Sequence, residues 1–111
     1  MINVQKLNDV LVVSLENDNK LNSTISQKFK VEMAKLFDSP GMKIVINLEG
    51  VDYIDSSGFG ALLSVLRAAK SNNAQLKLCN IVTDVMELVK LLQLQTVFDI
   101  RKNVNDCLNT F

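Results

Sequence analysis

The sequence predicts an α/β fold, a mixed and mainly parallel β-sheet with packed α-helices and an N-terminal hairpin, in one domain over residues 1–111. Three observations carry this. Short β-rich runs alternate with amphipathic helical stretches, the pattern that builds parallel sheets. The first two β-rich runs are separated only by Leu7-Asn8-Asp9, so they pair antiparallel at the sheet edge. The chain has 111 residues, 48% hydrophobic and 22% charged, which suits one globular core.

Asn3–Lys6 and Val10–Leu15 are the strands of the hairpin, and the polar stretch Glu16–Lys20 follows. From Thr24 to Phe37 the period becomes helical. Ile25, Phe29, Met33, Leu36 and Phe37 share one face, while Lys28, Glu32 and Lys35 lie elsewhere. Thr24 with Gln27 has capping-box spacing, and Asn22 and Ser23 are competing caps. Ser39-Pro40-Gly41 stops the helix. Lys43–Leu48, KIVINL, reads as a central strand covered on both faces.

A second helix is predicted over Ser57–Ser71. Its buried set is Phe59, Leu62, Leu63, Leu66 and Ala69, with Gly60, Ser64, Arg67 and Lys70 outward. Gln75–Cys79 is the next strand, with Leu76 and Leu78 alternating. A third helix runs from Thr83 to about Leu92, with Val85, Leu88, Val89 and Leu92 inward; Asp84 and Glu87 suit its positive N-terminal end. Val97–Ile100 is a short last strand and Asn103–Leu108 a weak terminal helix.

Several function classes are disfavoured. Lysine plus arginine equals aspartate plus glutamate at 12 each, so no chain-wide basic field favours nucleic acid. Apolar stretches such as Val10–Val13 are too short for membrane insertion, and MINVQKLNDV lacks a signal-peptide core, so a cytoplasmic location is expected. Cys79 and Cys107 make no disulfide framework, and Cys79 is expected as a small buried hydrophobe. Histidine is absent, which removes Ser-His-Asp and Cys-His nucleophile systems within the chain. A zinc site would have only two distant cysteines and carboxylates to use, and no phosphate-loop or dinucleotide motif is present. No catalytic residue, cofactor or metal is assigned, and a non-enzymatic protein is expected.

The chemistry therefore concentrates at Asp55-Ser56-Ser57-Gly58, between a central strand and a helix start. Asp or Ser there is a preferred helix cap, which is a purely structural use. The same helix start offers unpaired N–H groups and partial positive charge, which suit an anion such as a phosphate on one of these serines. A response-regulator reading would use Glu16 and Asp18 as acids and Asp55 as phosphoacceptor, but Glu16 and Asp18 are not adjacent and Asp55 stands several residues beyond KIVINL.

Lys43–Gly60, KIVINLEGVDYIDSSGFG, closely resembles the signature of bacterial anti-sigma factor antagonists of the STAS-domain family. That signature is an apolar strand, a short loop, then Asp-Ser-Ser/Thr-Gly-Leu-Gly opening a helix; here it is Asp55-Ser56-Ser57-Gly58-Phe59-Gly60. The order of the other elements fits nearly the whole chain. The resemblance implies an antagonist that binds an anti-sigma factor, itself a serine kinase, and so frees a sigma factor. It implies phosphorylation of Ser56 by that kinase, reversal by a serine phosphatase, and Ser57 as cap or neighbour. The implied partner surface is Leu21, Asn22, Ser23, Asp55, Ser56, Ser57, Gly58, Phe59 and Gly60, with the two glycines admitting close approach and Phe59 supplying apolar contact. Phe59 replaces the usual leucine, and Asn22 stands where many members carry aspartate. The alternative is a scaffold subunit of a signalling or transport assembly in which Ser56 is never modified.

Overall fold

Asn8 takes the left-handed backbone conformation (φ 57°) that asparagine tolerates, and the chain reverses there. Strand β1 (Ile2–Leu7) thereby pairs antiparallel with β2 (Val10–Leu15), Leu7 opposite Val10. The computed structural model describes all 111 residues. Beyond the hairpin run β3 (Lys20–Leu21), α1 (Ser26–Ala34), β4 (Lys43–Asn47), β5 (Tyr53–Ile54) and α2 (Ser56–Ser71). Then come β6 (Gln75–Cys79), α3 (Thr83–Leu91), a 3-10 turn at Leu94–Thr96, β7 (Asp99–Arg101) and α4 (Val104–Asn109). The main sheet has the order β1-β2-β4-β6-β7, with every pair after the hairpin parallel. The α/β class, the hairpin edge and the central position of KIVINL are as the sequence predicts.

Alternation along β4 divides the core. Ile44 and Ile46 pack on the face covered by α1, α2 and α3, with Phe29, Met33, Leu62, Val65, Val85 and Val89. Val45 points to the other face, where Val10, Val12 and Cys79 meet Cys107 of α4. Lys77, next to Val45 in register, is also buried. Its ammonium donates to Asp99 Oδ2 at 2.5 Å and lies 4.9 Å from the Phe111 ring centroid, so the charge is paired rather than stranded.

Several local expectations are corrected. β3 and β5 form a separate two-stranded parallel sheet, Leu21 beside Ile54, in stretches read as loops; two-residue strands carry no visible period. Helix α1 is shorter than Thr24–Phe37, and no Thr24–Gln27 capping box forms. Asn22 organises the turn before it instead: its Oδ1 accepts from the Thr24 N–H at 3.1 Å and its carbonyl accepts from the Ser26 N–H at 2.9 Å. Leu36 and Phe37 still pack on the core, from a turn rather than a helix. In α2, Phe59, Leu62, Leu66 and Ala69 are buried as expected, but Leu63 is half-buried and Ala61 and Val65 complete the inward stripe. In α3 only Val85 and Val89 are buried; Leu88, within the helix, faces outward, and Leu92 lies beyond the helix end at Leu91, next to the left-handed Gln93. The last strand begins at Asp99, not Val97, because Leu94–Thr96 takes up a 3-10 turn that buries Phe98.

Candidate functional site

Helix α2 begins at Ser56, one residue earlier than predicted, and its N-cap is Asp55. Asp55 has extended backbone angles, as a cap requires, and its Oδ1 accepts from the Gly58 N–H at 3.0 Å. Its carbonyl accepts the first helical bond, from Phe59 N–H at 3.0 Å. Ser57 is therefore not the cap. It lies inside the first turn, where its hydroxyl cannot reach back to the helix-opening N–H groups as the preceding carboxylate does.

Asp55 also ties the site to the segment after β3. Its Oδ2 accepts from the Ser23 N–H at 3.2 Å, and its own N–H donates to the Leu21 carbonyl at 3.3 Å. The small β3–β5 sheet sets this register, with Leu21 beside Ile54 immediately before the cap. One carboxylate thus joins the two segments, Leu21–Ser23 and Asp55–Gly60, that the sequence singled out separately.

The candidate residues fall into two groups. Leu21, Gly58 and Phe59 are buried and offer no surface. A Cβ on Gly58 would stand 2.1 Å from the Leu21 carbonyl oxygen and 2.7 Å from Ile54 Cγ2, so this glycine serves contact within the fold, not approach by a partner. Phe59 points into the core beside Leu48, Ile54, Leu62 and Val85, so it supplies no external apolar contact. Ser23, Ser56, Ser57 and Gly60 are exposed, and Asn22 and Asp55 are half-buried.

The Ser56 hydroxyl has no hydrogen-bond partner in the protein. The N–H groups of Ser56 and Ser57, at the start of the helix, have no carbonyl within α2 to donate to. An accessible hydroxyl beside two open N–H donors can accept a phosphoryl group without displacing an internal bond. Glu16, Asp18 and Asp55 do not gather into an acidic cluster, and both Asp55 oxygens are engaged, so no response-regulator pocket forms. No helix is long and apolar enough to cross a membrane.

Sequence reasoning left out the neighbours of this surface along α1 and α2. Ser26, Gln27, Lys30, Ser64 and Arg67 line an open groove together with Ser23, Ser57, Gly60 and Ala61. The spacing of Ser57, Gly60, Ser64 and Arg67 on one helix face was the available signal.

A family model, the STAS domain, matches residues 1–107. BtrV of Bordetella bronchiseptica, provisionally named an anti-sigma factor antagonist, is 23% identical over 99 residues, covering 89% of this chain and 84% of that protein. An anti-sigma-factor antagonist (STAS) domain protein from Planctomyces limnophilus superposes with a TM-score of 0.87 at 20% identity, covering 96% of this chain and 94% of that one. The anti-sigma factor antagonist SpoIIAA in its unphosphorylated form gives 0.69 at 14% identity, covering 96% and 92%. At these identities the structural likenesses establish the fold.

Proposed function

The chain belongs to the STAS-domain family, and from that premise we propose that it is an anti-sigma factor antagonist switched by phosphorylation at Ser56. In this reading the unphosphorylated protein binds an anti-sigma factor that is also a serine kinase. That releases a sigma factor in the cytoplasm; a serine phosphatase restores the binding form. The protein acts as a binding module and catalyses nothing itself. The observation that carries the reading is the division of roles at the helix start. Asp55 is committed to the cap, while Ser56, next to it, is exposed with a free hydroxyl.

The contact surface narrows to Asn22, Ser23, Asp55, Ser56, Ser57 and Gly60, because Leu21, Gly58 and Phe59 are buried behind it. A phosphate on Ser56 adds about −1.5 to −2 charges beside Asp55. The N–H groups of the helix start can hold it in the free protein, so the fold survives. At the interface, the same charges meet desolvation and repulsion, and the partner is released.

The test is capture by wild type and Ser56→Asp, with identification of the partner. Wild type captures a kinase-like anti-sigma factor; Ser56→Asp, still folded by circular dichroism, binds it at least roughly tenfold more weakly. Ser56→Ala binds and is not labelled by the purified kinase. Labelling of Ser56→Ala to the wild-type level removes Ser56 as the acceptor. Equal capture by wild type and Ser56→Asp removes the electrostatic switch and favours a constitutive scaffold.

A further inference from the structure

From Ser57 the exposed groove between α1 and α2 runs along the helices to Arg67, with a volume of about 490 Å³. On its α2 wall Ser57, Gly60, Ser64 and Arg67 follow at helical spacing, and Ser23 and Lys30 stand on the α1 side. Three features single it out. Its lining includes two cations and no acid. Neither cation is in an ion pair, since the salt bridges of the molecule use Lys43, Lys77 and Arg101. The Arg67 guanidinium donates to Ser64 Oγ at 3.1 Å, which holds it along the groove.

Gly60 supplies an independent observation. It lies inside α2, where alanine is the better helix former. Unlike Gly58, it has no heavy atom within 4 Å of the position a Cβ would take. Packing within the fold therefore does not require it. Its effect is to leave bare helix backbone on the groove wall, about one turn beyond Ser57 and about two turns short of Arg67.

We infer that this groove receives an extended acidic segment of the anti-sigma partner, its main chain lying flush on Gly60 and its carboxylates meeting Arg67 and Lys30. The inference rests on the function proposed above and extends that surface beyond the serine pair. From Ser57 to Arg67 the helix rises about 15 Å, a span covered by roughly four or five extended residues. The unpaired cations select the charge of that segment, and an arginine can take a carboxylate with two parallel hydrogen bonds. Ser23 and Ser57 make the groove continuous with the site of the switch.

The test titrates hexaglutamate into ¹⁵N-labelled protein and follows the backbone amide signals. Those of Gly60, Ser64 and Arg67 should move and saturate, hexalysine should leave them unmoved, and the response should weaken at least tenfold in Lys30→Glu/Arg67→Glu. Signals elsewhere in that variant stay in place, showing that it is folded. The same variant should bind the purified anti-sigma partner at least tenfold more weakly. Unmoved groove amides in the low-millimolar range, equal responses to hexalysine, or unchanged partner affinity would overturn the inference. So would a short oligonucleotide that moves these amides more than hexaglutamate does. Ser56→Asp separates the two proposals. If it releases the partner while hexaglutamate fails to map to the groove, the groove is wrong and the switch stands. If it retains the partner while hexaglutamate still maps there, the switch is wrong and the groove stands.

Discussion

Gly58→Ala should damage the fold and the site together. The new Cβ would lie 2.1 Å from the Leu21 carbonyl oxygen and 2.7 Å from Ile54 Cγ2, whereas Cβ contacts under 3.0 Å essentially never occur. The start of α2 must therefore retreat from β3 by nearly an ångström. Leu21 is fully buried in a two-stranded sheet and cannot move aside cheaply. Overpacking of this kind costs about 1–3 kcal/mol. The same retreat stretches the Asp55 N–H to Leu21 and Ser23 N–H to Asp55 bonds, already 3.3 and 3.2 Å, past useful range. Each such bond contributes about 1 kcal/mol, and replacing glycine by alanine in a helix returns at most about 1 kcal/mol. The net expectation is a loss of about 2–4 kcal/mol, which lowers the melting temperature of a domain this size by roughly 10 °C or more. Gly60→Ala is the internal control, because open space surrounds its Cβ position; it should raise stability by about 0.5–1 kcal/mol. Urea and thermal denaturation followed by circular dichroism measure both. If the two substitutions change stability in the same direction, the packing of α2 against β3 is not as described.

Asp55→Ala removes the cap and the tie to Ser23, so it should cost about 1–2 kcal/mol and speed hydrogen exchange at the Ser23 amide. Asp99→Asn leaves Lys77 buried without its counter-charge, and should destabilise by about 2–3 kcal/mol, less than for a fully buried pair because Asp99 is part-solvated. Lys77→Met should be nearly neutral, since it removes the buried charge itself. Burial pushes the Asp99 carboxyl up, but hydrogen bonds from Lys77 and Arg101 outweigh it and hold the group below its ordinary value. A lowered folded-state value means the contribution is complete above about pH 4, the unfolded value, and is lost as pH falls through the lower folded one. Acid denaturation of Asp99→Asn should lack that component. Burial, then the neighbouring Cys107, push the Cys79 thiol up to about 12, and burial also raises Cys107. Neither thiol should react with Ellman's reagent in the native protein, and both should react in urea; fast native labelling would contradict the packing under α4.

The sheet was legible because its strands carry their pattern in side chains. KIVINL is apolar at consecutive positions because β4 is buried on both faces, Ile44 and Ile46 under α1 to α3 and Val45 under α4. The second helix was legible for a similar reason, since its inward stripe runs for about three turns, from Phe59 to Ala69. Leu88 and Leu92 misled because they share a helical period with Val85 and Val89, and period alone does not reveal that α3 lies at the margin and ends at Leu91. At the site, the motif located the residues but not their orientation. The family resemblance put Leu21 and Phe59 in the partner surface, yet both face inward: Phe59 follows the buried period of α2, as its spacing predicts, and Leu21 is turned over the core by β3–β5 pairing. That pairing rests on backbone hydrogen bonds between two-residue strands, for which no side-chain period exists. The groove below Ser57 was missed for a different reason: its wall joins two helices, and no single stretch contains it.

The geometry also limits how a switch at Ser56 can work. A modification shifts a conformational equilibrium only as far as it contacts two conformations differently. The Ser56 hydroxyl is exposed and makes no hydrogen bond to another element, and the acid beside it is fixed on one side by Gly58 and on the other by Ser23. A phosphate there has no internal bond to break and no second packing of α2 to favour, because Gly58 already holds the helix start against Leu21 as closely as the chain allows. The free energy of the switch must then be expressed where a partner covers the site, through the charge and hydration of one added group. Free protein in the two states should differ at the amides of Ser56 and Ser57 and hardly elsewhere. A ¹⁵N spectrum of the phosphorylated chain with shifts spread through α3 or the β1–β2 hairpin would show that the mechanism runs through the fold after all.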